Sequence, residues 1–209
     1  IGFAFMNQII RDGRRQSMAR SYLYPVLSKS NVTVLVNTHV DKLELKGTRV
    51  TGVRITRAGV QSVIVANTEV IVSAGGINTP KLLMLSGIGE EAQLKAHGIK
   101  TVVNSGQVGK NFQDHILHGG CIWEPKEYIP HRNSAANVAG FLKSQSALAS
   151  PDVNLVQIEL PYASEVVKSQ YAPPHTSWAV CAGLVAPKSR GEIKLRSADA
   201  KDRPIVDAQ

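Results

Sequence analysis

The sequence predicts a mixed α/β (α+β) fold in which strands outnumber helices, and three observations carry that expectation. An apolar run, Val70, Ile71 and Val72, breaks onto Ser73-Ala74-Gly75-Gly76 and restarts as a helix-forming segment. Ahead of it lie segments with strand patterning divided by short turns, and beyond His115 come further strand-like pieces separated by loops bearing proline and glycine. With 43% hydrophobic residues in 209, the chain can build a core for one large domain or parts of two.

In order along the chain, SYLYPVLSKS after Arg20 reads as a helix arriving at a loop. NVTVLVNTHVDKLEL follows as a strand, with Val32, Val34 and Val36 alternating with other positions, and Gly47-Thr48 supplies a turn. TGVRITRAG and QSVIVANTEVIV continue around a second turn at Ala58-Gly59, so that a three-stranded antiparallel meander delivers the chain to the glycine corner. The continuous run Val70–Val72 suits a strand covered on both faces, and the glycines after it admit close backbone approach.

Thr79 is the expected N-cap and Pro80 the expected first helical residue, with Leu82, Leu83, Met84 and Leu85 as the apolar body and Gly87 and Gly89 as the stop. Two readings stand at this corner: an ordinary packing turn, or a turn against which a nucleotide cofactor lies. EEAQLKAHG is a second short helix leading into the strand IKTVVN. After a domain boundary between Asp114 and Leu117, the pieces LHGGCIWEP, VNLVQIELP, TSWAVCAGLVAP and GEIKLRSA suggest a mainly antiparallel sheet, with a helix near NSAANVAGFLKS and an irregular loop at KSQYAPPHT.

The net charge of +8 comes with only 5% aromatic residues, and the densest basic group, Arg11, Arg14, Arg15 and Arg20, is interrupted by Asp12. Without interleaved aromatics that group reads as a solvated or partner-facing surface, not a nucleic-acid site. No apolar stretch approaches the roughly 20 residues of a membrane helix. The opening IGFAFMNQIIRDGRRQS lacks a signal-peptide pattern, and both ends read as mid-sequence, so the chain is expected to be an internal part of a longer one.

Cys121 and Cys181 have no CxxC spacing and are expected to be buried free thiols. His115, His118 and Cys121 are spaced by three on a strand-like segment, where such residues point to opposite faces, so no metal site is expected.

The segment GGINTPKLLMLSGIG, residues 75–89, resembles the second sequence signature of the glucose-methanol-choline flavoprotein oxidoreductases at Thr79, Pro80, Leu82, Leu83, Ser86, Gly87, Ile88 and Gly89. Gly76 departs from it, standing where the family usually has Ala, Pro, Ser or Thr. The flanks GRRQSMARSYLYPVL, NVTVLVNTHVDKL, GQVGKNFQDH and RGEIKLRSADAKDRPIVDA resemble further family stretches in the family's order, with Gln107 replacing a usual Pro and Phe112 a usual Leu.

The resemblance implies part of a Rossmann-like FAD-binding domain with a β-meander, over residues 1–115, whose opening residues up to about Arg20 fall there, in the substrate domain or in a connecting segment. It also implies part of a substrate domain with an antiparallel sheet, over 116–209. The implied reaction is oxidation of a primary alcohol (choline-, aryl- or aliphatic-alcohol-like) to an aldehyde by hydride transfer to flavin N5, with a histidine as base and oxygen or a quinone as electron acceptor.

The family's G-x-G-x-x-G has no counterpart here, and its catalytic histidine lies beyond Gln209. None of His39, His97, His115, His118, His131 and His175 is therefore assigned as catalytic, and His115 is expected to make structural hydrogen bonds. Cofactor contacts carry over to the backbone of Val40, against the adenine, and of Ala74 and Gly75, beside the ADP portion. The alternatives are a hydroxynitrile lyase of the same fold and, for the isolated chain, a non-catalytic basic binding module.

Overall fold

The computed structural model describes residues 1–130 and 136–209. In chain order, β1 (Gly2–Phe5), β2 (Ile10–Arg11) and β3 (Arg14–Arg15) precede helical turns at Ala19–Leu23 and Tyr24–Val26. Next come β4 (Thr38–Lys46), β5 (Arg49–Arg57), β6 (Val60–Val65), α1 (Gly75–Leu85), β7 (Ile88–Gly89), α2 (Glu91–Ala96), β8 (Val103–Asn104) and β9 (Lys110–Phe112). The remainder is β10 (Ile116–Trp123), β11 (Val138–Leu142), β12 (Val153–Ile158), α3 (Glu165–Tyr171), β13 (Trp178–Leu184), β14 (Gly191–Lys194) and β15 (Ile205–Asp207). The chain folds as two compact units, Ile1–Val32 with Asp114–Lys188, and Thr33–Gln113 with Ser189–Gln209.

The first unit is built on a five-stranded antiparallel sheet in the order β1-β11-β12-β13-β10. Its inner strand β13 buries Trp178, Ala179 and Cys181, and the Trp178 ring meets that of Trp123 with centroids 5.4 Å apart and planes tilted by 58°. Glu159 is buried and accepts a 2.6 Å hydrogen bond from Asn137 Nδ2.

The second unit carries the expected meander β4-β5-β6, joined by tight turns at Gly47-Thr48 and Ala58-Gly59. Both central residues of the second turn have positive φ, 49° at Ala58 and 80° at Gly59, which is the hairpin geometry that matches strand twist. The core of this unit is Met84 from α1, Leu94 from α2 and Ile193 and Leu195 from β14 and its exit, with Leu85, Ile99, Val108 and Phe112 packed against it. Gly109, at φ +84°, lets β14 pass: a Cβ there would lie 2.3 Å from the carbonyl oxygen of Ile193.

Residues 189–209, grouped by the sequence with the second portion of the chain, thus fold with 33–113. The reason is a long-range pairing, β14 with β9, reinforced by Lys110 Nζ on Glu192 Oε2 at 2.6 Å and Lys81 Nζ on the carbonyl of Ala200 at 2.6 Å.

Several local expectations are corrected. The strand expected from Asn31 begins only at Thr38, and Val70–Val72 form no strand; among the described residues neither segment has a pairing neighbour, and Val36 and Ile71 are 61% and 78% exposed. The helix expected from Pro80 begins at Gly75, so Thr79 is not its N-cap and Pro80 lies inside it. In place of a helix over 133–144, the described part forms strand β11, paired on both sides by β1 and β12; residues 131–135, with His131, lie outside the described residues.

The loop at KSQYAPPHT begins within α3, whose N-cap is Ser164, with Oγ accepting from Val167 N–H. Cys181 is buried as expected, but Cys121 is exposed, because it sits on the edge strand β10 and faces away from the covered side that Cys181 occupies. Among the described residues no cluster suits a metal ion, and no helix is long and apolar enough to cross a membrane.

Candidate cofactor site

The corner that opens α1 is made of backbone. Ala74 is the N-cap, at φ −84° and ψ 7°, with no side-chain capping bond, and no acidic residue stands in the first turn. Gly75 is the first helical residue, at φ +83°, a conformation that glycine adopts without strain. A Cβ built on Gly75 or Gly76 would meet nothing within 4 Å, so the backbone at this end stands open. The first N–H groups of an α-helix have no intrahelical partner and favour negative charge, which the absent cap and absent acids leave unanswered here.

Pro80 has no N–H to give to the carbonyl four residues back, at Gly76, which leaves one further polar group of this turn outside the helical ladder. A cavity of about 530 Å³ lies between the first half of α1, at Gly76, Thr79, Pro80 and Leu83, and the loop Val108–Gln113. Two stretches singled out separately in the sequence, residues 75–89 and GQVGKNFQDH, thus form opposite walls of one cleft.

The other expected contact, Val40, lies on β4, an edge strand with β5 on one side only. Its residue is 40% exposed, where Leu43 on the same strand is 4% exposed. β4 is fastened to α1 by Ser86, whose Oγ accepts from Leu43 N–H at 2.8 Å and donates to the Leu82 carbonyl at 2.6 Å. Val40, Ala74 and Gly75 therefore belong to one unit and to elements packed on each other. The bond that joins those elements lies toward the far end of α1 from Gly75.

Beside Val40 is a polar cluster around a buried aspartate that the sequence did not single out. Asp41, 9% exposed, accepts from His39 Nδ1 at 2.9 Å on one carboxylate oxygen, and from Thr56 Oγ1 at 2.6 Å and Gln61 Nε2 at 3.3 Å on the other. Burial raises its pKa, but the hydrogen bonds from Thr56 and His39, the charge of His39 and the bond from Gln61 together bring it below the usual carboxylate value. The available signal was a charged residue breaking the alternation at Val40-Asp41-Lys42-Leu43.

Near the cleft, Glu192 binds Lys110 and Lys194, and its carboxyl is held low by the bonds from Lys110 and then Lys194, while Lys110 is pushed up by its bond to Glu192. His115 is exposed; its backbone N–H donates to its neighbour Asp114 Oδ1 at 2.8 Å.

A mixed α/β chain with an open glycine corner at an uncapped helix start and an edge strand in the same unit has the form of part of a nucleotide-cofactor enzyme. Residues 1–117 match the family model described as GMC oxidoreductase, and the chain belongs to that family, the glucose-methanol-choline oxidoreductases, whose cofactor is FAD.

It is 35% identical over 231 residues to the oxygen-dependent choline dehydrogenase of Brucella anthropi, covering 98% of this chain and 41% of that protein. Choline oxidase of Arthrobacter globiformis is 33% identical over 200 residues, covering 94% of this chain and 36% of that one. The crystal structure of pyridoxine 4-oxidase from Mesorbium loti superposes with a TM-score of 0.88 at 27% identity, covering all of this chain and 41% of that one. The chain thus spans about 40% of the length of these relatives.

Proposed function

We propose that these residues form part of an FAD-dependent oxidoreductase that oxidises a primary alcohol to an aldehyde, and that the second unit carries the cofactor contacts while the first carries substrate recognition. The single observation that carries the reading is the cleft of about 530 Å³ between the open start of α1 and the loop Val108–Gln113, because it joins two family stretches at one concave site. The naming of relatives as choline dehydrogenase and choline oxidase, and of a structural neighbour as pyridoxine 4-oxidase, supports a hydroxymethyl-bearing substrate and a two-electron oxidation.

The residues present fit an adenine dinucleotide. The backbone of Ala74 and Gly75 would lie along the ADP portion, where the unshared N–H groups of the helix start answer negative charge and no side chain intervenes. Val40 would meet the adenine with its backbone on the free side of β4, as a main-chain donor and acceptor pair suits the edge of that base. When bound, FAD supplies the acceptor for the hydride that leaves the alcohol carbon. Ser86 keeps the two contact elements in register by tying α1 to β4. No residue of this chain is assigned as the base that takes the hydroxyl proton.

The test is spectroscopic. The full-length gene product is purified and its flavin absorbance followed anaerobically during titration with choline, benzyl alcohol, pyridoxine and short aliphatic alcohols. Bleaching of an FAD spectrum by at least one primary alcohol is expected. A purified protein without bound flavin, or a flavin that none of these alcohols reduces, would remove the reading.

A further inference from the structure

The strand β4 is irregular at the residue assigned to the adenine. Val40 stands opposite Ile55 and Lys42 opposite Arg54, so Asp41 is an extra residue with no partner on β5. An insertion of this kind bends the strand and re-aims its neighbours, and such bulges concentrate beside functional sites. On an edge strand the bulge has one pairing neighbour, and the bond from Leu43 N–H to Ser86 holds β4 two residues further on, so the geometry at the bulge itself depends on what the extra side chain does.

Here that side chain is tied to all three strands of the meander: to His39 on β4, Thr56 on β5 and Gln61 on β6. The carboxylate is buried. Burying an acid is less favourable than packing an apolar side chain of similar size unless its oxygens are hydrogen-bonded, and such polar clusters are retained where they fix one geometry. All the bonds to Asp41 meet at the residue directly following Val40, which is itself 40% exposed.

We propose that Asp41 is a positioning residue, whose carboxylate clamps the β4 bulge through His39, Thr56 and Gln61 and so sets the backbone of Val40 for the adenine of the cofactor. This rests on the reading of Val40 as the adenine contact. The clamp acts on recognition of the base and leaves the phosphate contacts at Ala74 and Gly75 untouched. Its signature is therefore a loss of discrimination between bases, which general destabilisation of the unit does not produce.

The experiment uses the flavin-free full-length gene product and its Asp41→Asn and Thr56→Val variants, with Thr56→Ser as the conservative control, and measures calorimetric binding of ADP and of inosine diphosphate. The two ligands share phosphates and ribose and differ at the base edge. Asp41→Asn and Thr56→Val are expected to weaken ADP binding up to about tenfold, the effect of one misaligned backbone hydrogen bond to the base, while inosine diphosphate is unchanged and Thr56→Ser stays close to wild type. If Asp41→Asn fails to fold, Gln61→Leu, at an exposed position with the longest of the three bonds, replaces it.

An unchanged ADP preference in folded variants, or equal weakening for both ligands, would overturn the clamp. Photolabelling of the wild type with 2-azido-ADP separates the two levels. Label on residues 38–42 upholds the Val40 contact whatever the variants do, whereas label elsewhere removes that contact and the clamp with it.

Discussion

Replacing Ser86 by alanine tests whether the fastening of α1 to β4 is a structural necessity of the cofactor unit. Ser86 is 7% exposed and its Oγ is the partner of the Leu43 N–H, on a residue that is itself 4% exposed. The substitution leaves that N–H buried without an acceptor, at a cost of about 1–3 kcal/mol. The bond from Oγ to the Leu82 carbonyl at 2.6 Å is lost as well, but this carbonyl also accepts from the Ser86 N–H at 3.1 Å, so its loss adds little.

The expected destabilisation is therefore about 2 kcal/mol, which for a chain of this size lowers Tm by roughly 4–8 °C. Urea denaturation followed by far-ultraviolet circular dichroism measures it, with a lower midpoint and an unchanged slope. A midpoint indistinguishable from wild type would show that β4 and α1 are held by packing alone, and that the serine of this signature has another purpose.

Three more outcomes follow from particular residues. Ala58 holds φ 49° in the β5–β6 turn, a conformation that costs a non-glycine residue about 1 kcal/mol, so Ala58→Gly should raise Tm by a few degrees in a thermal melt, and a lower Tm would refute the turn geometry. Cys121 is exposed while Cys181 is buried, with its thiol pushed up by desolvation and then by the nearby Cys121, so a thiol reagent should modify one cysteine promptly and the other only on unfolding, as mass spectrometry of the labelled peptides would show. Asp41 has a folded-state pKa below its ordinary value of 3.8, so its contribution is fully present above that pH and is lost as pH falls through the lower folded value; the acid limb of a pH-stability curve should flatten in Asp41→Asn, and an unaltered limb would contradict the clamp.

What the sequence conveyed was the local grammar of the chain. The turns at Gly47-Thr48 and Ala58-Gly59 sit where glycine marks them, and the alternation between them produced the meander. The same alternation misled at Val32–Val36, as the continuous apolar run did at Val70–Val72, because such patterning reports that a segment suits a sheet without reporting that a partner strand is present. Pro80 misled for a related reason. Proline is favoured at the first helical position, but Gly75 at positive φ starts the helix earlier, and packing of Met84 in the core holds the later turn despite the missing bond.

The candidate site divides along the same line. Ala74, Gly75 and Ser86 lie in or beside the contiguous motif 75–89 that the sequence singled out, but the bond from Leu43 N–H to Ser86 joins positions 43 apart and no motif announced it. Asp41 was not legible, because its importance arises from Thr56 and Gln61, brought to it by strand pairing, and no pattern in one strand announces a bond to the next two. The tail is the extreme case: β14 finds β9 across 82 positions between Lys110 and Glu192, and the bare backbone of Gly109 leaves room for it. The stretch GQVGKNFQDH, quoted in the sequence only for its motif, is one wall of the cleft and a strand neighbour of the tail. Loss of either partner would open the cleft and the core at once, since Ile193 borders both.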